Sequence, residues 1–286
     1  MAKDADIVTI TDSVCGSGKR STCSMADVAS IARLLYGAPP SSIRTVKSEA
    51  DLVRVVREYS SIRRLIFVLE GSEGQIAVNH SYRALSVFAE AFESQGPTVQ
   101  EIVFDNCNVI KSASEVTGLM KALRTRRATG YASFHSWGPV KIVTKKNDTA
   151  EEVENQFKRV MPGWDLLRDY VIPGQPSFSQ MAASPGEKSL YLEFFMRDPS
   201  FGMLRFESLR SPSQLHNVLP RSKLVPKTYR VSAAQTAERE LDVLGGPIAL
   251  VTYEDPTAGQ ATVPSPNPRA PAGRPAVTTP HITPGR

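Results

Sequence analysis

The stretch LIFVLEGSEG, residues 65–74, determines how the rest of the chain is interpreted. Its first five residues are all apolar, which is typical of a strand that is buried on both faces in a parallel sheet. The run stops at Glu70 and is followed by Gly71 and Gly74, two residues that favour a tight corner. The role of a carboxylate at the end of a buried strand is therefore the first question that the sequence raises.

The chain on either side of this stretch alternates between predicted strands and predicted helices. Further strands are predicted at 7–11, 42–47, 101–105, 129–133 and 140–144, and apolar residues recur at helical spacing in 25–35, 52–59, 84–92 and 116–123. This order predicts an α/β domain over residues 5–146, with a mostly parallel sheet and helices on both faces. Function in such sheets collects beyond the carboxyl ends of the strands, where Glu70 and residues 105–108 are expected.

The second half of the chain differs in composition. Residues 147–255 predict an α+β extension with one helix at 151–161 and strands at 189–198, 203–209, 229–233 and 248–254. A turn, DPSFG, separates the first two of these strands. Residues 256–286 are rich in Pro, Ala and Thr, cannot bury enough apolar surface to offset the entropy of ordering, and predict a disordered tail.

Bulk composition argues against several classes of protein. The net charge of +5 is scattered, and the densest basic cluster, Lys121 to Arg127, fits a solvated helix face better than a nucleic-acid footprint. No apolar run reaches the ~20 residues of a membrane helix, and the N-terminus lacks the apolar segment of a signal peptide. Three cysteines without paired metal spacing predict reduced thiols, a cytoplasmic location and no metal site. The sequence does not reveal an oligomeric state.

A glycine-rich loop, GSGKRST, spans residues 16–22 and superficially resembles a phosphate-binding loop. A Walker motif needs a glycine five positions before the Gly-Lys pair and a hydroxyl directly after the lysine, but Ser13 and Arg20 stand there. We therefore expect a mobile basic loop and no nucleotide or other cofactor.

Cys107 lies in the stretch IVFDNCNVI, directly after a buried strand. A thiol on such a rigid element can face a cleft, and a following helix N-terminus favours its thiolate. Neighbouring backbone amides can serve as an oxyanion hole. Cysteine is also a common small core residue, and the local sequence alone leaves both interpretations open.

The order of these elements resembles the caspase-like cysteine peptidases, and the likeness is closest to the bacterial CHAT-type domains. In that family one strand ends in a His-Gly pair within a pattern like S-H-G-S-x-G, and a later strand ends in a cysteine, often followed by asparagine. VLEGSEGQI matches the first motif and FDNCNV the second, over a resemblance that covers residues 5–146. The stretch TGYASFHSW resembles the family's next strand, whose end helps to line the substrate pocket.

The resemblance implies roles for individual residues. Cys107 takes the nucleophile position, and Gly71 takes the glycine whose amide joins the oxyanion hole. Glu70 stands at the position of the histidine, which is a departure from the family. A carboxylate with a pKa of ~4 is a poor base for a thiol of ~8.5, a mismatch worth about 6 kcal/mol. An anion beside Cys107 also raises the pKa of the thiol.

Four interpretations of Glu70 remain open at this point. In the first, the cysteine–histidine pair of the family is lost and the domain survives as a binding module. In the second, His80 or His135 supplies the base instead. Alternatively, Glu70, Glu73 and Asp105 form an acidic cluster that binds a metal or acts as a carboxylate pair, or Glu70 is ordinary surface charge.

We therefore expect a catalytically impaired cysteine-peptidase homologue that binds a peptide or protein partner at the strand-end cleft. The predicted binding residues are Glu70, Gly71, Asp105, Asn106 and Trp137, and Trp137 can alternatively pack the end of its strand. The competing hypothesis is an active cysteine endopeptidase with Cys107 as nucleophile and His135 or His80 as base, so whether the chain is an enzyme is left open.

Overall fold

A computed structural model describes residues 3–12, 24–196, 218–231 and 249–258. Its strands are β1 Lys3–Asp12, β2 Ile43–Val46, β3 Tyr59–Val68, β4 Glu70–Ser72, β5 Gln75–Val78, β6 Ser81–Ala84, β7 Thr98–Phe104, β8 Arg127–Tyr131, β9 Phe134–Thr144, β10 Gly186–Met196, β11 Val218–Leu219, β12 Val225–Arg230 and β13 Ala249–Glu254. Its helices are α1 Met25–Tyr36, α2 Glu49–Arg57, α3 Leu85–Phe92, α4 Ala113–Ala122, α5 Ala150–Val160, α6 Trp164–Leu167 and α7 Phe178–Ala182.

Seven strands form the main sheet, in the order β12-β13-β8-β7-β3-β1-β2. The five strands from β2 to β8 in this order pair in parallel, whereas β13 runs antiparallel to β8. The predicted α/β fold with a mostly parallel sheet is therefore confirmed.

Helices cover both faces of this sheet, and the side chains of β3 show how. Leu65 and Phe67 pack in the core that α2, α3 and α4 cover, whereas Ile66 and Val68 pack with α1 on the opposite face. Successive side chains of a strand point to opposite faces, so a continuous apolar run is what a sheet covered on both sides requires. Helix α1 begins in a capping box between Ser24 and Asp27.

A second sheet, β9-β10-β11, lies on the α1 side of the molecule. Strands β9 and β10 pair antiparallel along their whole length, with His135 opposite Phe195 and Trp137 opposite Glu193. The alternate residues of both strands, Phe194 among them, pack against α5, α6 and α7. His135 and Glu193 consequently belong to the face turned away from those helices.

A third, small sheet, β4-β5-β6, follows β3 directly and begins at Glu70. The expected hairpin arm in this region is β5, and the turn between β5 and β6 contains His80. Both residues of that turn, Asn79 and His80, have positive φ angles of 49° and 65°.

The predicted division of the chain at residue 146 stays a prediction, although strands from both sides of it share each large sheet. β13 extends the main sheet beside β8, and β10 pairs with β9. Several expectations lie outside the described residues: the loop with Cys15 and Cys23, the strand at 203–209 with its DPSFG turn, and the tail beyond residue 258. Within the described ranges, every helix is too short or too polar to cross a membrane.

Candidate functional site

The ends of β3 and β7 meet because the two strands are parallel neighbours, with Phe67 opposite Phe104. The amide N–H of Asp105 donates to the carbonyl of Phe67 at 2.9 Å. One residue further on, the buried Asn106 side chain donates from Nδ2 to the Leu69 carbonyl at 2.6 Å. The two strand ends predicted to carry function are therefore tied together by direct hydrogen bonds.

Gly71 brings β4 directly onto the backbone that follows β7. A Cβ atom at this position would lie 2.5 Å from Cγ2 of Val109, 2.7 Å from Cβ of Asn106 and 2.9 Å from the Cys107 carbonyl oxygen. Each of these distances is shorter than a normal van der Waals contact of about 3.5–4.0 Å. Only a residue without a side chain fits here, and this is the glycine that the family motif singled out.

Cys107 is partly exposed and lies in a loop that hydrogen bonds fix to neighbouring elements. Asn108 has a positive φ of 54°, and its amide donates to the Ser133 carbonyl at 3.0 Å. A single 3-10 turn, Val109–Lys111, comes next, and the hydroxyl of Tyr253 donates to the Ile110 carbonyl at 3.2 Å. Because α4 begins only at Ala113, Cys107 lies outside the first turn of that helix, where the helix dipole is felt.

The Cys107 thiol itself points toward β9. Its Sγ atom donates to the backbone carbonyl oxygen of His135 at 3.4 Å. The thiol also contacts the imidazole of His135, and this contact contributes to the pKa of the histidine.

His135 is buried beneath the loop, with only 4% of its side chain exposed. Its ring packs against Tyr131 and Phe195, with centroids 4.9 and 5.6 Å away. Its Nε2 lies 2.8 Å from Oδ1 of Asp105, but the N–H is not aligned with the carboxylate, so this is a close charged contact. Burial lowers the pKa of His135, and the Asp105 charge outweighs it, raising the pKa to about 10.

Glu193 is a member of this site that the sequence analysis missed. Its side chain is 1% exposed, and one carboxylate oxygen lies 3.3 Å from Nε of Arg221. Burial raises the pKa of Glu193 to about 7, although the charges of Arg221 and His135 act in the opposite direction. A lone charge within the apolar run of residues 190–196 is the signal that the sequence offered.

Asp105, His135 and Glu193 converge on one point. One ligand atom from each of the three lies within 4.8 Å of the other two, and all three residues are buried. The acidic cluster considered from the sequence is a different set, and its members do not gather. Glu70 contacts His80 and Glu73 contacts Lys111 on the surface, while Asp105 faces inward.

Glu70 forms an exposed pair with His80 on the surface of the small sheet. The distance from its Oε2 to Nδ1 of His80 is 3.1 Å, and 36% of the Glu70 side chain is exposed. Glu70 of β4 and Tyr82 of β6 both lie opposite Ala77 of the central strand β5, one on each side of it. Burial, followed by the charges of Glu70 and Cys107, raises the pKa of Tyr82.

Trp137 lies away from this surface. It is 9% exposed and packs in the core beneath α1 together with Ile172 and Tyr191. This placement matches the packing role considered for Trp137, and its predicted role in binding remains a prediction.

Comparisons with known proteins complete the description of the site. No protein-family model matches the chain, and no curated protein matches it. A solved structure of a secreted C11 cysteine protease from Bacteroides thetaiotaomicron, in complex with an irreversible peptide inhibitor, is similar at a TM-score of 0.29 and 14% identity, over 46% of this chain and 49% of that chain. The structure of iotapain, a secreted C11 protease from the same organism, is similar at 0.30 and 8% identity, over 46% of this chain and 53% of that one.

The chain thus spans about half the length of these structures, at 49% and 53%. Both neighbours are cysteine proteases, which is the broad class that the two motifs resembled. A likeness at these TM-scores carries no argument about activity, which has to come from the site itself.

Proposed function

We propose that this chain is a catalytically impaired homologue of the caspase-like cysteine peptidases, of the CHAT type, with Glu70 at the position of the family's histidine. In this proposal it binds a peptide or protein partner at the strand-end cleft. Asp105 and Asn106, which were predicted to bind, are buried, so the partner would contact the exposed groups nearby, which are Glu70, His80, Tyr82 and the partly exposed Cys107.

The observation that carries the proposal is the direction of the Cys107 thiol. The Cys107 Sγ atom lies 3.4 Å from the backbone carbonyl oxygen of His135, which can only accept, so the thiol is the donor in this contact. Activation of a nucleophilic cysteine requires a hydrogen bond from the thiol to a general base, and this contact is made to a backbone oxygen instead.

The placement of the two described histidines also supports impairment. A general base must reach the proton that it removes and later the leaving group of the substrate. The His135 side chain is 4% exposed and held against Asp105, so a substrate cannot reach it without an opening of the loop. His80 is exposed, and the partner of its Nδ1 is Glu70 and not the Cys107 sulfur.

The strand-end cleft is suited to binding because its groups are exposed and polar. Tyr82 is 43% exposed, and the Glu70 and His80 side chains are 36% and 55% exposed. A carboxylate, an imidazole and a phenol can together pair with the backbone and side chains of an extended peptide.

Alkylation of Cys107 by iodoacetamide across pH tests the impaired thiol. The measurement uses a Cys15→Ser/Cys23→Ser chain, in which Cys107 is the remaining cysteine of the sequence. We expect Cys107 to react no faster, at each pH, than the thiol of a short unstructured peptide. Much faster alkylation than that peptide near neutral pH, together with peptide hydrolysis that Cys107→Ala abolishes, would overturn the proposal.

Binding is tested with a synthetic fluorescent peptide library and immobilised protein. We expect Glu70→Gln and Tyr82→Ala to weaken the retention of the bound peptides. Arg54→Ala is the matched control, because Arg54 is exposed on α2 and pairs with Asp51 and Glu58. Retention that is absent in the wild type, or that responds equally to all three substitutions, would contradict a binding role for this cleft.

The second candidate function is an active cysteine endopeptidase, and the Glu70–His80 contact is the observation that favours it. If Nδ1–H of His80 donates to Glu70 at 3.1 Å, the carboxylate fixes the tautomer and leaves Nε2 as the base. Glu70 would then orient a histidine instead of replacing one. Of the two bases considered from the sequence, His80 is the exposed one, whereas His135 is the one whose imidazole contacts the thiol.

Cleavage of the same peptide library separates the two candidates. An active enzyme loses its hydrolysis in both Cys107→Ala and His80→Ala, and Glu70→Gln lowers the rate without abolishing it. The impaired homologue shows no hydrolysis for these substitutions to remove.

A further inference from the structure

We propose that Asp105, His135 and Glu193 form a binding site for a single divalent transition-metal ion, of the kind that mixed nitrogen and oxygen ligands hold. Zn²⁺ and Mn²⁺ are the two probes. The inference does not depend on whether Cys107 is catalytic, because none of its three ligands is the thiol.

The convergence of three different strands is the first argument. Asp105 follows β7 of the main sheet, whereas His135 and Glu193 belong to β9 and β10 of the second sheet. One ligand atom from each of the three lies within 4.8 Å of the other two. Bonds of about 2.0–2.2 Å from one ion to imidazole nitrogen and carboxylate oxygen suit atoms this close together.

These side chains are also incompletely satisfied. All six of their nitrogen and oxygen atoms, two from each side chain, are buried and lack a well-aligned hydrogen bond in the described structure, although Nε2 of His135 lies 2.8 Å from Asp105 and Nε of Arg221 lies 3.3 Å from Glu193. Buried polar groups in proteins are nearly always satisfied, and those that are not call for an explanation such as an ion. Two buried carboxylates grouped with an imidazole are an arrangement that a bound cation would stabilise.

The type of ion follows from the ligands. Neutral imidazole suits transition ions such as Zn²⁺, so binding must release to solvent the proton that Asp105 favours on His135. Carboxylates suit Mn²⁺ as well as Mg²⁺ and Ca²⁺. A set with one imidazole and two carboxylates therefore favours a transition ion over Mg²⁺. Three protein ligands also leave at least one position open for water or another ligand.

Arg221 is the competing cation at this site. Its Nε lies 3.3 Å from a Glu193 oxygen, and its guanidinium also contacts the hydroxyl of Tyr131. With 30% of its side chain exposed, Arg221 lies on the solvent side of the cluster, so it neutralises one carboxylate from outside. The proposal therefore predicts that its removal strengthens metal binding, an effect that an adventitious surface site would not show.

The experiment is equilibrium dialysis of the chelator-treated full chain against ZnCl₂ or MnCl₂ in excess Mg²⁺, with metal content measured by mass spectrometry. Long equilibration allows an ion to enter a buried site. We expect the wild-type chain to retain a single ion and to melt at a higher temperature with it. Mn²⁺ separates the proposed site from binding to cysteine better than Zn²⁺ does, because cysteine sulfur, present at Cys15 and Cys23, binds Mn²⁺ weakly.

Substitutions then assign the site. Asp105→Asn, His135→Phe and Glu193→Gln should each weaken retention by at least about tenfold, since even the loss of an outer-shell partner of a metal ligand typically costs about 10–100-fold. Arg221→Gln should tighten it. His80→Gln and Glu187→Gln are the matched controls, since one removes an exposed histidine and the other an exposed carboxylate of β10.

Circular dichroism establishes that each variant is folded before its metal content is measured. Pulsed electron paramagnetic resonance on the wild-type chain needs no substitution, and bound Mn²⁺ should couple to one imidazole nitrogen. The proposal is overturned if the wild type retains no ion, if no imidazole coupling is found, or if retention is lost in His80→Gln but kept in Glu193→Gln.

Discussion

Replacement of Gly71 by alanine is the sharpest test of how the strand-end site is built. The added Cβ would meet Cγ2 of Val109 at 2.5 Å, Cβ of Asn106 at 2.7 Å and the carbonyl oxygen of Cys107 at 2.9 Å. The valine methyl can move by a change of rotamer, but the other two atoms belong to the loop itself. The loop around Cys107 or strand β4 must therefore shift.

The magnitude follows from these contacts. Overpacking by extra methyl groups in a tight interior costs about 1–3 kcal/mol. Because two of the three contacts cannot be relieved by side-chain rotation, we expect the upper half of that range. Each kcal/mol corresponds to about 2–4 °C in the melting temperature of a domain of 150–250 residues.

Urea denaturation and thermal melting measure this loss, and Gly118→Ala is the matched control. Gly118 lies within α4, and a Cβ there meets nothing within 4 Å. Alanine in a helix interior is more stable than glycine by about 0.5–1 kcal/mol. The same chemical change is thus expected to destabilise the chain at Gly71 and to stabilise it at Gly118.

Alkylation of Cys107 gives a second measurement on the same variants. A displaced β4 should change the access of iodoacetamide to Cys107 in Gly71→Ala and leave it unchanged in Gly118→Ala. If Gly71→Ala is as stable as the wild type and its Cys107 reacts at the same rate, β4 does not pack on the Cys107 loop, and the geometry described here for the site is refuted.

Three further predictions concern the surroundings of the site. Asn106→Ala should lower the free energy of unfolding, measured in urea, by about 1–3 kcal/mol, because the Leu69 carbonyl loses its donor at 2.6 Å. An unchanged midpoint would show that this bond does not hold the strand ends together. Phe157→Ala should lower the free energy of unfolding by about 3–5 kcal/mol, since Phe157 is fully buried against Trp164 beneath the second sheet. A loss below about 1 kcal/mol would contradict the packing of that cluster. A fragment of residues 1–146 lacks β10 and β13 and should show no cooperative thermal transition, whereas a cooperative one would support a domain boundary at 146.

Much of the α/β core could be predicted because its strands and helices are local patterns. The apolar run at residues 65–69 predicted a strand covered on both faces, and its alternate residues divide between two cores. The place of β13 could not be predicted in this way. Its strand pattern was recognised, but its pairing with β8 depends on contacts between segments far apart in sequence. Periodicity describes one strand and contains no information about its partner.

The site was predictable to the extent that it follows from parallel strands. Glu70, Asp105, Asn106 and Cys107 were expected together, because the carboxyl ends of neighbouring parallel strands meet at one edge of the sheet. The orientation of His135 was not predictable from the sequence. A histidine at a strand end can face a cleft or the interior, and the pairing of β9 with β10 decides that it lies beside Phe195.

Glu193 was missed for a related reason. In the run LYLEFFM, residues 190–196, one charged residue resembles the solvent-facing position of a half-buried strand. A period of two tells which residues share a face but not whether that face is covered. Here the face of β10 that carries Glu193 lies toward α1 and the main sheet, so the carboxylate is buried at 1% exposure. Burying a charge is costly unless it is paired, and Arg221 lies 3.3 Å from this carboxylate. Because ligand atoms of Asp105 and His135 also lie within 4.8 Å of it, a cation bound among the three groups would offset more of that cost.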